Sequence, residues 1–169
     1  GRWLASGGAD KTVRVWDMRN LEAAAHELHG HRDWVWSVAY SPDGRWLASG
    51  SDDNTTLLWD LSDPAAGDAA IFSSHRDDVS VVAFSPDSRW LATGSRDHTV
   101  LLWDLSDPAA DPLTLLGHDG EIMVAAVSLD SRWLVTGSQD STIIAQQISQ
   151  LQQRLGITPT APVAVAAPS

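Results

Sequence analysis

Cysteine is absent from these 169 residues, and lysine occurs once, at Lys11. Without cysteine there is no disulfide and no thiolate metal site, and the composition fits a reducing, cytoplasmic setting. Lys and Arg number 11 against 22 Asp and Glu, a formal net charge of −11. The clustered basic surface that nucleic acid or an anionic membrane calls for is therefore missing, and neither is expected as a partner. No apolar run exceeds strand length, which excludes a membrane-spanning helix. There is no signal peptide and no initiator Met, and the chain opens inside a repeat at Gly1, so a piece of a longer protein is expected. No Gly-x-Ser-x-Gly elbow and no Asp-x-Asp-x-Asp-Gly calcium loop occurs.

What is present is one pattern written four times. Arg2-Trp3, Arg45-Trp46, Arg89-Trp90 and Arg132-Trp133 recur at intervals of 43, 44 and 43 residues. Each is followed by Leu, a small residue, Ser or Thr, Gly and then Asp. In three copies the Asp leads to a Trp-Asp pair: Trp16-Asp17, Trp59-Asp60 and Trp103-Asp104. Residues 41–66 and 85–110 agree at 21 of 26 positions. A fixed period of this size marks a stack of one supersecondary unit.

The unit beginning at His31 shows how the stack is built. Val35 to Tyr40 is β-branched and aromatic, which predicts a strand. Ser41-Pro42-Asp43-Gly44 is a turn, with Pro presetting φ and Gly relieving backbone strain. Arg45 to Gly50 predicts a second strand, 51–54 a turn, Thr55 to Asp60 a third strand, 61–67 a polar loop, and Ala69 to Phe72 a weak fourth strand. Asp63-Pro64 and Asp107-Pro108 punctuate matching loops. Fourteen strands are expected in all, grouped three, four, four and three. A lone four-stranded sheet cannot bury both faces, whereas radial stacking on its neighbours can.

A Gly-His or Ser-His step (Gly30-His31, Ser74-His75, Gly117-His118) lies about 28 residues before Trp-Asp, or before Gln146-Gln147 in the last copy. This combination resembles the WD-repeat β-propeller family over residues 1–147, in units of about 1–30, 31–74, 75–117 and 118–147. The resemblance implies an all-β fold, a partial propeller of about four blades of antiparallel four-stranded sheets. Family propellers usually close with about seven blades, so an open arc is expected. Two departures mark the last unit: Gln146-Gln147 replaces Trp-Asp, and Leu129 replaces the turn proline.

Each unit that begins at a histidine carries a hydroxyl, a histidine and an aspartate: His31, Ser49, Asp53; His75, Thr93, Asp97; His118, Thr136, Asp140. A hydrolase needs one activated nucleophile in one cleft with an oxyanion hole. A set repeated per unit, with Thr for Ser twice, reads as scaffold. The family resemblance implies a network in which Asp orients His, His bonds the hydroxyl, and the hydroxyl accepts from the indole of Trp59 or Trp103, with the last blade weakest. The repetition also sets each His in a different blade, which disfavours a histidine metal site; no cofactor is expected.

Positions that vary while their neighbours repeat are the candidates for binding. From the resemblance, partners dock where inner strands start and before each network Asp. The first class comprises Trp34 and Trp36, Asp78 and Ser80, Glu121 and Met123; the second comprises Ala9, Asp52, Arg96 and Gln139. Trp34 and Trp36 are two apart in a strand, hence on one side, and no other unit has aromatics there. They either anchor a partner, ringed by Asp52, Asp78 and Glu121, or pack against a neighbouring blade. The four Arg before Trp are expected to lay their stems over the sheet rim. His26 and His29 read as solvated, and His98 as an exposed turn residue.

Residues 148–156 predict a short helix on the open last blade or a frayed end, with Ile148, Leu151 and Leu155 at helical spacing and Gly156 as the stop; 157–169 read as an Ala/Pro-rich tail. The function expected is a non-enzymatic scaffold for protein or peptide partners, with self-association through open edges. The alternative is the sensor or regulatory arm of a larger signalling protein, since such near-identical repeats resemble those joined to ATPase, kinase or peptidase heads in bacterial proteins.

Overall fold

The structure is a computed structural model that describes residues 2–20, 22–62 and 69–154. The expected loop at Asp63-Pro64, the helix stop at Leu155-Gly156 and the tail at 157–169 lie outside the described residues. Fourteen strands form four antiparallel sheets, in the expected grouping. The first holds β1 (Trp3–Gly7), β2 (Val13–Asp17) and β3 (His26–Leu28); the second holds β4 (Val35–Tyr40), β5 (Trp46–Ser51), β6 (Thr56–Asp60) and β7 (Ala70–Phe72). The third holds β8 (Val79–Phe84), β9 (Trp90–Ser95), β10 (Val100–Asp104) and β11 (Leu113–Leu115), and the fourth β12 (Ile122–Val127), β13 (Trp133–Ser138) and β14 (Ile143–Gln147). Each sheet is one blade of a partial propeller, an open arc. No helix among the described residues is long and apolar enough to cross a membrane.

Four blades give three seams, and each seam has its own core. Val13, Val15, Val35, Leu47, Leu57 and Trp59 fill the first. Ala48, Leu58, Phe72, Val79, Leu91, Leu101 and Trp103 fill the second, and Trp90, Ala92, Val100, Leu102, Ile122 and Leu134 the third. Successive strand residues point to opposite faces, so neighbours divide between seams. Leu57 faces backward and Leu58 forward; Leu101 faces backward and Leu102 forward. The run Leu-Leu-Trp in β6 and β10 is apolar throughout because both faces of an inner blade are covered. Stacked rings of Phe72 and Trp103, 4.2 Å between centroids, show how tightly the second seam closes.

Turn chemistry follows the sequence. Gly44 turns at φ 76°, and Ser88 and Ser131 hold the matching left-handed position at 59° and 55°. The serines compensate with a bond that glycine cannot make. The Asp43 N–H donates to Ser88 Oγ at 3.0 Å, and the Asp87 N–H to Ser131 Oγ at 3.1 Å, tying adjacent blades. The second turn places Lys11, Asn54, His98 and Ser141 at positive φ.

Two expectations need refinement. Arg2, Arg45 and Arg89 each sit over the Trp that follows and pair with the Asp of the Trp-Asp dipeptide. Arg45, for instance, lies 4.4 Å from the Trp46 ring and 2.9 Å from Asp60. The guanidinium, and not the stem alone, does the holding. The terminal helix, α1 (Ile148–Arg154), docks against β14 of the last blade on its inward side, where Ile148 and Leu151 join the third seam's core. The outward face of the last blade stays bare among the described residues, with Trp133, Val135 and Ile143 exposed.

Candidate functional site

The hydroxyl–histidine–aspartate sets assemble in all three units. His31 Nδ1 lies 2.9 Å from Asp53 and its Nε2 lies 2.6 Å from Ser49. His75 stands 3.0 Å from Asp97 and 2.8 Å from Thr93; His118 stands 3.2 Å from Asp140 and 2.9 Å from Thr136. Each Asp also accepts the backbone N–H after the histidine, from Arg32, Arg76 or Asp119. Burial pushes the Asp97 carboxyl up, but bonds from Thr99, the Arg76 N–H and His75 outweigh it and hold the group at about 2. Burial pushes His75 below the ordinary histidine range, against the pull of Asp97.

The indole link is less regular than the resemblance implies. The Trp103 indole N–H donates to Thr93 Oγ1 at 3.1 Å. In the preceding unit Trp59 makes no such bond to Ser49 among the described residues; its ring stands edge-on to His31, 6.2 Å away. The last unit has Gln146 in that place, and there Thr142 Oγ1 lies 2.9 Å from His118 Nδ1. All three hydroxyls are buried. An oxygen so placed, already bonded to an imidazole inside a blade, is out of reach of an acyl substrate.

The variable positions come together at one end of the blades. The residue before each network Asp donates its N–H to the carbonyl of the residue three after the histidine: Asp52 to Trp34, Arg96 to Asp78 and Gln139 to Glu121, each at 2.9 Å. The two classes read from the sequence are thus neighbours on one face, while Ala9 lies in the first blade, whose described strands begin at β1.

Trp34 and Trp36 do not share a side for the reason the spacing suggests. Trp34 lies just before β4, and the register of β4 on β5 shifts between Val35 and Ser37. A bulge adds a residue on one strand and re-aims its side chain. The same shift recurs at Val79/Val81 and Ile122/Val124, so Trp36, Ser80 and Met123 are the three residues at the bulges. The two indoles meet at 5.9 Å between centroids, about half exposed. The Trp36 indole N–H donates to Asp52.

The acidic ring is partly neutralised. Arg96 reaches across the face, pairing with Asp78 and, at 3.2 Å, with Glu121 of the next unit. Desolvation, with the charge of Asp52 beside it, raises the Asp78 carboxyl despite Arg96. Ser80 instead turns inward, donating to the carbonyls of Ile122 and Gly94. Met123 is exposed, and Gln139 ends the row. Aligning the units puts Arg96 between two acids at equivalent positions; that was the available signal for the bridge. No group of His, Asp and Glu able to hold a metal ion occurs among the described residues.

Comparison with known proteins gives one consistent answer. The family described as "WD domain, G-beta repeat" matches residues 1–17, 23–60, 68–104 and 111–144. The WD repeat and SOCS box-containing protein 1 of Homo sapiens is 48% identical over 40 residues, 24% of this chain and 10% of the relative. The EARP-interacting protein 1 of Caenorhabditis elegans is 46% identical over 39 residues, 23% of this chain and 11% of the relative. The guanine nucleotide-binding protein subunit beta of Zea mays is 49% identical over 41 residues, 24% of this chain and 11% of the relative. Each match spans about one repeat and about a tenth of the relative's length.

Proposed function

The chain belongs to the WD-repeat family, whose repeats serve generally as scaffolds for protein interaction, and we propose that it binds a peptide segment on the face where its inner strands begin. The exposed Trp34–Trp36 pair, raised on a β-bulge and joined to Asp52, is the observation that carries this reading. Two tilted indoles offer apolar area and π-faces that attract a cation. Asp52 and the half-exposed Asp33, which meets Lys11 only at 3.9 Å, add negative charge beside them, whereas Asp78 and Glu121 are closely engaged by Arg96. The partner that fits is a segment with Lys or Arg next to an apolar residue, Arg96 and Gln139 contacting its far end. The hydroxyl–histidine–aspartate sets serve the fold and perform no chemistry.

The test is the double substitution Trp34→Ala, Trp36→Ala, assayed by fluorescence anisotropy with labelled Leu-Arg-rich peptides against Leu-Glu controls. Both indoles are half in solvent, so circular dichroism and melting temperature should hold while binding to the basic peptides is lost. Unfolding of the double variant would assign the indoles to the blade seam instead. Equal binding of acidic and basic peptides would remove the charge reading.

A further inference from the structure

The face where the inner strands begin repeats one seam geometry and fills it with different charges. The residue before a network Asp lies beside the residue three after the next unit's histidine. At the third seam these are Arg96 and Glu121, an ion pair of 3.2 Å. At the second seam they are Asp52 and Asp78, acid against acid within hydrogen-bonding reach. Arg96 also pairs with Asp78, so one guanidinium serves two carboxylates, and Asp52 meets the Trp36 indole N–H instead. The Asp78 side chain is mostly out of solvent, and desolvation with the charge of Asp52 raises its carboxyl. What the second seam lacks is a cation between its two acids.

The opposite end of the blades shows which cation suits an indole beside a carboxylate. The guanidiniums of Arg2, Arg45 and Arg89 lie 4.5, 4.4 and 4.9 Å from the rings of Trp3, Trp46 and Trp90. Arg45 and Arg89 also bond Asp60 and Asp104, at 2.9 and 2.7 Å. Trp36 and Asp52 present the same two surfaces, already joined through the indole N–H. Among the described residues no guanidinium lies over Trp34 or Trp36, and both rings are about half exposed. A guanidinium can lay its weakly hydrated face on an indole while its edge N–H groups reach two acids. An ammonium is a compact, strongly hydrated point charge and gains less from such a site.

On the reading that this face binds a peptide segment, we propose that the segment supplies an arginine in preference to a lysine, its guanidinium stacked on the Trp34–Trp36 pair and bonded to Asp52 and Asp78. The incoming arginine takes at the second seam the place that Arg96 holds at the third. Arg96 keeps Glu121, and Asp78 is shared between the two guanidiniums.

The test titrates the full chain with labelled peptides that differ at one position, Leu-Arg, Leu-Lys or Leu-Gln in a Gly-Ser frame, followed by fluorescence anisotropy. The arginine peptide should bind about fivefold more tightly than the lysine peptide, and the glutamine peptide most weakly. This comparison uses the parent chain and does not depend on any variant folding. Asp52→Asn keeps an oxygen for the Trp36 N–H and removes the charge. It and Asp78→Asn should each weaken the arginine peptide about fivefold, whereas Asp33→Asn, which removes a charge at the first seam, should cost less than about twofold. Arginine and lysine peptides bound equally, or an Asp33→Asn loss as large as that of Asp52→Asn, overturn the proposal and leave peptide binding on this face standing. No binding of any basic peptide, or binding indifferent to Trp34→Ala with Trp36→Ala, overturns both.

Discussion

Replacing His75 with alanine is expected to cost about 2–4 kcal/mol of folding free energy at pH 7. The magnitude follows from where the protons must sit. Indole N–H only donates and an ionised carboxylate only accepts. Trp103 therefore donates to Thr93, Thr93 donates to His75 Nε2, and His75 Nδ1–H donates to Asp97. Every hydrogen in the relay has one possible direction. With the imidazole gone, Thr93 still accepts from Trp103 but its own hydroxyl hydrogen is orphaned in a fully buried place, at about 1–3 kcal/mol. Asp97 keeps Thr99 and the Arg76 N–H and so adds little. An unrelaxed cavity of imidazole size, on the order of 50 Å3, adds about 1 kcal/mol at ~24 cal/mol per Å3.

Equilibrium urea unfolding followed by tryptophan fluorescence reads this directly, provided the slope on denaturant stays that of the parent chain. A loss below about 0.5 kcal/mol, the range of an ordinary surface change, would refute the relay as a stabilising element. Ester hydrolysis by the parent chain that disappeared with Ser49→Ala would refute it differently, by showing that a set does chemistry. His118→Ala should cost less than His75→Ala, because Gln146 stands where an indole would donate to Thr136 and the network of the last blade is already incomplete.

Trp103→Phe should destabilise by about 1 kcal/mol more than Trp59→Phe in the same urea assay, since only Trp103 loses an indole hydrogen bond; equal losses would count against the asymmetry. Acid should weaken the fold in two stages. His75 is held neutral by burial below its ordinary 6.5, so stability begins to fall as pH drops below that value, where the unfolded chain takes up the proton first. Asp97, at about 2 against an ordinary 3.8, contributes stability that is present above about pH 4 and lost as pH falls toward 2. A urea midpoint flat from pH 7 to pH 3 would contradict both.

The fold was legible because repetition turns one weak local signal into four. A single stretch such as Ala70–Phe72 carries little strand signal, yet its place in the period identified it. The period also explains the apolar runs: Leu57-Leu58-Trp59 breaks the alternation of a half-exposed strand, and only a blade covered on both faces accommodates it. What stayed hidden depends on geometry between units. Glycine at 7, 50 and 94 reads locally as a turn or bulge residue, and nothing within one unit reveals that Val35, Val79 or Ile122 occupies the missing side chain's volume. The serines at 88 and 131 look like poor substitutes for Gly44 until the neighbouring turn's N–H is in view.

The candidate site was half legible for the same reason. Variation against a repeating background singled out Trp34, Trp36, Asp52, Asp78, Arg96 and Glu121, and the structure sets these in one row. Their interactions could not be read unit by unit, because Arg96 bonds one acid of its own blade and one of the next. The bulge was invisible because the inner strand's hydrophobic pattern continues through it, and only the shift in pairing shows that Trp36 has been turned out. A period-2 strand would have given Trp34 and Trp36 the same side only by keeping both in register. The bulge instead frees Trp36 from the pairing with β5 while the Asp52 N–H still holds the Trp34 carbonyl. Asp52 thus meets the backbone of one tryptophan and the indole N–H of the other. Its carboxylate orients the Trp36 ring alone, and the Trp34 ring rests on that indole at 5.9 Å between centroids. Removing the Asp52 side chain would therefore free Trp36 first, while the Trp34 carbonyl kept its main-chain bond.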